Sequence, residues 1–226
     1  MTTAHTDTSS AGTGHVAIEP SILYFGTPVV LLSTENPDGT FNLAPMSSAW
    51  ALGRLVVLGL GAGGQTARNL AERPEAVINL PSPGQWRHVE RLAPLTGRYP
   101  VPEDKPAGCR FEPDKFAASG LLPEPSLAVR PPRVARCPLQ LEARVQRVRP
   151  DGSGAFVIAE ALVERVHAHP DIVVPGTQHV DPDAWSPLVY NFRHYFGLGP
   201  ERGCSHRSET PRGGGGAPRA GTAGAP

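Results

Sequence analysis

The chain has 226 residues, a length that suits one domain or two small ones. Lys plus Arg and Asp plus Glu are 21 each, so the formal charge is zero, and aromatics are only 6%. Such a balance argues against a protein whose main task is to grip nucleic acid or an anionic membrane, because that affinity needs clustered cations. A core built mainly from Val, Leu and Ala is expected instead. No stretch approaches the ~20 consecutive apolar residues of a membrane span. Residues 1–15 lack the apolar run and early cation of a secretory signal. A soluble, cytoplasmic protein is expected. Cys109, Cys137 and Cys204 are odd in number and widely spaced, which suggests neither a disulfide framework nor a zinc site.

The ends read as disordered: residues 1–15 are mostly Thr, Ser, Ala and Gly, and 204–226 form a Gly/Pro-rich tail. The folded body is expected over residues 16–203. Pro28–Thr34 is apolar and rich in β-branched residues, and Asn36-Pro37-Asp38-Gly39 follows it. This pattern predicts a strand and a tight turn, with Gly39 free to take the left-handed conformation. The chain should return through Phe41–Trp50 and again through Leu55–Leu60, with Gly53-Arg54 between them. Thr66–Arg73 has helical composition and is stopped by Pro74. Ala76–Leu80 reads as a further strand and Gln85–Leu92 as a second helix. Prolines break every local pattern from 94 to 133, leaving long loops and one helical turn near Asp114–Ala118.

The clearest periodicity comes later. Leu139, Leu141, Ala143 and Val145 alternate with Gln140, Glu142, Arg144 and Gln146, which predicts a half-buried strand with the polar set facing outward. Pro150-Asp151-Gly152-Ser153-Gly154 turns it back into a long apolar strand, Ala155–Val166. The inventory is mainly β, with six or seven largely sequential antiparallel strands and two or three peripheral helices. A small barrel accommodates it better than a doubly wound sheet, since closure removes exposed edges.

Gly59-Leu60-Gly61-Ala62-Gly63-Gly64 matches G-x-G-x-x-G, the dinucleotide fingerprint, between a strand and a helix. Its strand, however, is third in an antiparallel series rather than the start of a βαβ unit. The next strand ends in Asn79, Pro81 and Ser82, where a ribose-binding carboxylate should stand. What survives is local: a glycine-rich loop feeding a helix, able to bind one phosphate, with Gln65, Thr66 and Asn69 in its first turns. Simple capping by Thr66 or Gln65 is the plainer alternative. His167-Ala168-His169 and His179 lack a carboxylate or thiolate at ligand spacing, so loop histidines at the surface are expected there. Ser47-Ser48 lie mid-strand, not on a nucleophile elbow. Trp185–Gly199 concentrates aromatics and reads as a segment docked on the barrel. An alternative role, with Arg193 and His194, is lining the substrate side of the site or a subunit contact.

The succession Asn42-Leu43-Ala44-Pro45-Met46-Ser47-Ser48-Ala49-Trp50, strand, Gly-rich loop, Gln65-Thr66-Ala67-Arg68-Asn69-Leu70 resembles the flavin reductase-like, FMN-binding split barrels. The resemblance covers about residues 20–170. It implies an antiparallel split β-barrel and a homodimer. It also implies FMN as cofactor, NAD(P)H as co-substrate and hydride transfer to flavin, with a monooxygenase as a partner that takes up the reduced flavin. Two alternatives stay open: tightly held FMN serving electron transfer or reduction of an organic substrate, and a non-enzymatic ligand-binding barrel. Carried over residue by residue, the cofactor-binding set is Pro45, Met46, Ser47, Ser48, Ala49, Trp50, Gln65, Thr66, Arg68 and Asn69. Small residues at 44–49 would let the main chain reach the ring edge, and Met46 and Trp50 would pack near its dimethylbenzene end or, more simply, serve as core residues of their strand. Relatives often carry Lys or Arg before the threonine. Here the residue is Gln65, with Arg68 as a candidate substitute. No catalytic residue is implied.

Overall fold

The computed structural model describes residues 14–211. Residues 1–13 and 212–226, which hold most of the two ends expected to be disordered, lie outside the described residues. The first hairpin forms as its sequence dictates. Strands β1 (Phe25–Pro28) and β2 (Val30–Glu35) precede the turn, and β3 (Phe41–Met46) follows it. Gly39 takes φ +83°, and Asp38 Oδ1 accepts from the Thr40 amide at 3.0 Å and hydroxyl at 2.6 Å, closing the turn.

The next segment departs from expectation. Residues 41–50 are not one strand: the chain breaks at Ser47-Ser48, resumes as β4 (Ala49–Leu52), and turns at Gly53 (φ +60°) into β5 (Leu55–Gly61). Strand β3 pairs with β2 and β4 with β5, so β3 and β5 are not neighbours. Helix α1 (Gln65–Glu72) follows and stops before Pro74, and β6 (Glu75–Leu80) lies beside β2. Helix α2 spans Trp86–Leu92.

The proline-rich segment holds more order than its sequence suggests. Strand β7 (Leu95–Thr96) pairs with β8 (Arg110–Phe111), and β9 (Pro123–Glu124) with β10 (Arg133–Val134). Between these pairs, α3 (Lys115–Ser119) is capped by Asp114, whose side chain accepts from the Ala117 amide at 3.0 Å. The long hairpin of β11 (Leu139–Pro150) and β12 (Phe156–Ala168) follows. Strands β13 (Val189–Asn191) and β14 (His194–Phe196) form a small sheet with β1.

The main sheet has seven strands in the order β3-β2-β6-β11-β12-β5-β4, every pairing antiparallel. Its two ends, β3 and β4, are joined by Ser47-Ser48 alone. Chain leaving one edge therefore enters the other within two residues, and the sheet curls into a barrel. This is the antiparallel split-barrel class. Among the described residues no helix is long and apolar enough to cross a membrane.

Packing explains the sparing use of aromatics. Val30, Leu32, Leu58, Ile78, Ala143, Ala159 and Ala161 fill the barrel, with Ala67 and Leu70 of α1 packed against them. The alanines on β11 and β12 suit an interior too narrow for large side chains. A second cluster lies on the other face of β2, where Val29 and Leu31 meet Val89, Leu92, Phe116 and Leu188. Phe116 is the single aromatic among the buried apolar residues described.

The polar face of β11 is solvent-facing only in part: Arg144 and Gln146 are exposed as the alternation predicts, whereas Gln140 and Glu142 are not. Gln140 and Glu142 are buried because residues 125–134 cover them. The Glu142 carboxylate accepts from the amides of Leu127 (3.0 Å), Ala128 (2.5 Å) and Val129 (3.2 Å). Gln140 Nε2 donates to the Val134 carbonyl at 2.7 Å. His167 is likewise not a loop histidine. It ends β12, and its Nε2 lies 2.6 Å from Glu142 Oε1, to which it donates.

Candidate functional site

The break between β3 and β4 positions the site. A groove of about 1150 Å³ runs along Ala44–Ser48, Gly59–Gly61, the start of α1 (Gly64 and Thr66) and Phe156–Ile158. Its opposite wall comes from residues 20–27 with Tyr190 and Tyr195. The volume is somewhat larger than that of most small-molecule sites and has room for a nucleotide-sized ligand.

Glycines bring the two sides of the corner together. The Gly59 amide donates to the Ser48 carbonyl at 2.8 Å, and a Cβ on Gly59 would sit 3.1 Å from Ser48 Cβ. At Gly61 a Cβ would meet nothing within 4 Å, so that position opens onto the groove. Helix α1 begins at Gly64 with no side-chain cap and no acidic residue in its first turn. Its first amides and the positive end of its dipole therefore stand without a protein acceptor or counter-charge from the helix itself.

The groove holds hydroxyls that the protein does not use. Ser47 is buried, and neither its hydroxyl nor that of Ser48 has a protein partner. Thr27 Oγ1 is buried without any partner. Thr66 Oγ1 accepts from Asn42 Nδ2 at 2.9 Å, which leaves the threonine's own proton free to donate. Buried polar groups normally find partners, so unpaired hydroxyls along one groove mark the place of a polar-edged ligand. The far wall is apolar and aromatic. Tyr190 lies between Tyr24 (centroids 5.5 Å) and Tyr195 (5.2 Å), and Tyr195 donates to Glu90 at 2.9 Å. Burial and the Glu90 bond push the Tyr195 phenol well above its ordinary value, so it stays neutral.

Of the ten positions carried over from the resemblance, Pro45, Met46, Ser47, Ser48 and Thr66 line the groove. The others do not. Ala49 turns into the barrel core, and Trp50 faces outward, 57% exposed. Gln65 Nε2 donates to Asn69 Oδ1 at 2.7 Å. Asn69 is fully buried, and its amide donates to Thr34 Oγ1 (3.0 Å) and Asn36 Oδ1 (2.9 Å), tying α1 to β2 and its turn. Arg68 is exposed and pairs with Glu72 at 3.2 Å. Positions 66 and 69 share the buried face of α1, but Thr66 stands at the groove end of the helix, whereas Asn69, nearly a turn further along, lies over the β2 hairpin.

The docked C-terminal segment contributes Tyr190 and Tyr195, while Arg193 and His194 are exposed at its turn, outside the groove. Aromatic enrichment was the signal for this wall. Thr27 and Lys105 also line the groove, and nothing local in the sequence pointed to either. Among the described residues no cluster of three His, Cys, Asp or Glu could hold a metal. Cys137 is buried, and burial pushes its thiol up to about 12, which leaves it unreactive.

The site and barrel define a flavin reductase-like fold, and comparison with known families agrees. The flavin reductase like domain matches residues 22–199, and the chain belongs to that family. The uncharacterized protein YdfE of Bacillus subtilis (strain 168) is 46% identical over 195 residues, covering 85% of this chain and 94% of that protein. Among solved structures, nitrilotriacetate monooxygenase component B from Bacillus cereus aligns with TM-score 0.68 at 19% identity, over 85% of this chain and all of that one. Flavoredoxin of Desulfovibrio vulgaris (Miyazaki F) aligns with TM-score 0.65 at 19% identity, over 89% and 99% of the two chains. The NADH:FAD oxidoreductase SgcE6 of Streptomyces globisporus aligns with TM-score 0.57 at 16% identity, over 78% and 88%. At these identities the structures establish a shared fold.

Proposed function

We propose that this protein is an NAD(P)H-dependent flavin reductase that holds FMN in the groove and hands reduced flavin to a partner oxygenase. The observation that carries this reading is the pair of unpartnered hydroxyls of Ser47 and Ser48 at a glycine-lined corner, with the unpartnered Thr27 hydroxyl on the opposite wall of the same groove. These donors and acceptors fit the polar edge and ribityl chain of a flavin, and the small residues let a flat ring approach the main chain. Bound FMN would supply the hydride-accepting ring. The protein's own work is positional: Ser47 and Ser48 orient the ligand edge, the aromatic wall excludes water, and no side chain need move a proton in the hydride step.

Titration of purified protein with FMN, FAD and riboflavin, followed by NAD(P)H oxidation with and without added flavin, tests this. Saturable FMN binding weakened about tenfold by Ser48→Ala, with oxidation that depends on added FMN, is the expected result. Co-purifying flavin with poor turnover of free flavin would favour a prosthetic group instead. Absence of binding would sink the assignment.

A homodimer belongs to the same proposal. Trp50, Val57 and Glu160 share one register row, and Leu52, Leu55 and Leu162 the next. The outer face of β4, β5 and β12 thus exposes Trp50, Leu52 and Leu162 side by side. Contiguous apolar surface of this kind marks an interaction face.

A further inference from the structure

The groove wall carries a single charged side chain among the described residues, Lys105. Its ammonium has no hydrogen bond or ion pair with the protein. The loop that bears it is seated on the turn opening α1. Arg98 Nη1 donates to the Gly63 carbonyl at 3.2 Å, and a Cβ on Gly63 would lie 3.0 Å from Asp104 Oδ2. Asp104 itself lies outside the groove lining. Lys105 shares the groove with Gly61, Gly64 and Thr66, so a free cation, an uncapped helix start and a threonine proton line one cavity. Ser47, 8% exposed and unpartnered, faces the same space. Lys115 adds positive potential. It is 4% exposed and makes no hydrogen bond or ion pair, and burial first, then Lys105, pushes it down to about 8 against the attraction of Glu112.

We infer that Lys105 anchors the terminal phosphate of the flavin nucleotide, together with the Thr66 hydroxyl and the first amides of α1. It thereby supplies from a distant loop the cation that Gln65 does not provide. The inference rests on the flavin-binding reading above and adds a selectivity: phosphorylated flavins over riboflavin. Lys105 is the single cation of the groove wall among the described residues, and the phosphate is the one anion of the FMN ligand for it to pair with.

The test is equilibrium binding of FMN and riboflavin to the wild type, Lys105→Met and Lys105→Arg, followed by flavin fluorescence at two salt concentrations. Wild type should bind FMN more tightly than riboflavin. Lys105→Met should weaken FMN about 10- to 100-fold, leave riboflavin unchanged and flatten the salt dependence, while Lys105→Arg should retain most FMN affinity. Equal loss of both ligands in Lys105→Met, or none, overturns the assignment. So does a change confined to the KM for NAD(P)H, which would give the lysine to the dinucleotide phosphates. If wild type binds neither flavin, the parent reading fails instead, and the two failures are told apart.

Discussion

Gly59 and Ser48 meet at the point where the barrel closes: the Gly59 amide donates to the Ser48 carbonyl at 2.8 Å, and a side chain on the Gly59 Cα would crowd the serine. A Cβ there would lie 3.1 Å from Ser48 Cβ. Gly59→Val should therefore push the Ser47-Ser48 corner outward. The expected cost is about 1–3 kcal/mol of stability, with flavin affinity falling at least as much as in Ser48→Ala. Denaturant melts alongside flavin titration would check it, and unchanged affinity would remove the corner from the site.

Thr66 and Asn69 sit three residues apart on α1 and should fail in different ways. Asn69→Ala removes three hydrogen bonds, two buried ones to Thr34 and Gln65 and a part-buried one to Asn36, and should lower stability by about 2–3 kcal/mol while the folded fraction binds flavin normally. Thr66→Ala removes the acceptor of Asn42, whose Oδ1 is already unpartnered, as well as a hydroxyl of a groove-lining residue. It should lose both stability and affinity, and Thr66→Ser should restore both. Melting curves and binding constants for the three variants separate the roles.

What was legible in the sequence was local. Asp38-Gly39 makes its turn without help from distant chain, and Pro74 ends α1 through its own missing amide. The strand pattern at 139–146 was also readable, but the burial of two of its polar residues was not. Gln140 and Glu142 keep the outer side of β11 and are buried because a segment with no periodicity of its own, 125–134, folds over them. The same limit hid Thr27 and Lys105, which reach the groove through chain packing. The family pattern placed Ser47, Ser48 and Thr66 in the groove, yet could not separate them from Asn69, since short motifs record residues that hold the helix as well as those facing a ligand.

Glu142 gives the fold an acid-sensitive pin. Burial pushes its carboxyl up, but the Leu127 and Ala128 amides and His167 outweigh that and hold it below the ordinary glutamate value. A depressed folded value means that the unfolded state binds the proton more readily. The stabilisation is therefore complete above the unfolded value of about 4.3 and is lost as pH falls through the folded one. Glu142→Gln should cost about 2–3 kcal/mol at pH 7, because one of the carboxylate's accepting oxygens becomes a donor facing donors. It should also flatten the loss of stability between pH 5 and 3. Urea midpoints across that range would show it. An acid limb identical to wild type would mean that other carboxylates govern acid unfolding.

The outer sheet face yields the last prediction. Leu52 is 69% exposed in a row with Leu55 and Leu162, beside the row of Trp50 and Val57. Leu52 has little burial to lose, so Leu52→Asp should leave the isolated barrel within about 0.5 kcal/mol of wild type. If two copies meet on this face, the same change places two carboxylates in an apolar interface, where desolvation without a partner is costly. Sedimentation equilibrium should then show a dimer for wild type and a monomer for Leu52→Asp, with unchanged far-ultraviolet circular dichroism. A Leu52→Asp dimer as tight as wild type would move the interface elsewhere. Because Phe156 and Ile158 of β12 belong to the groove wall, loss of the dimer should also loosen flavin binding.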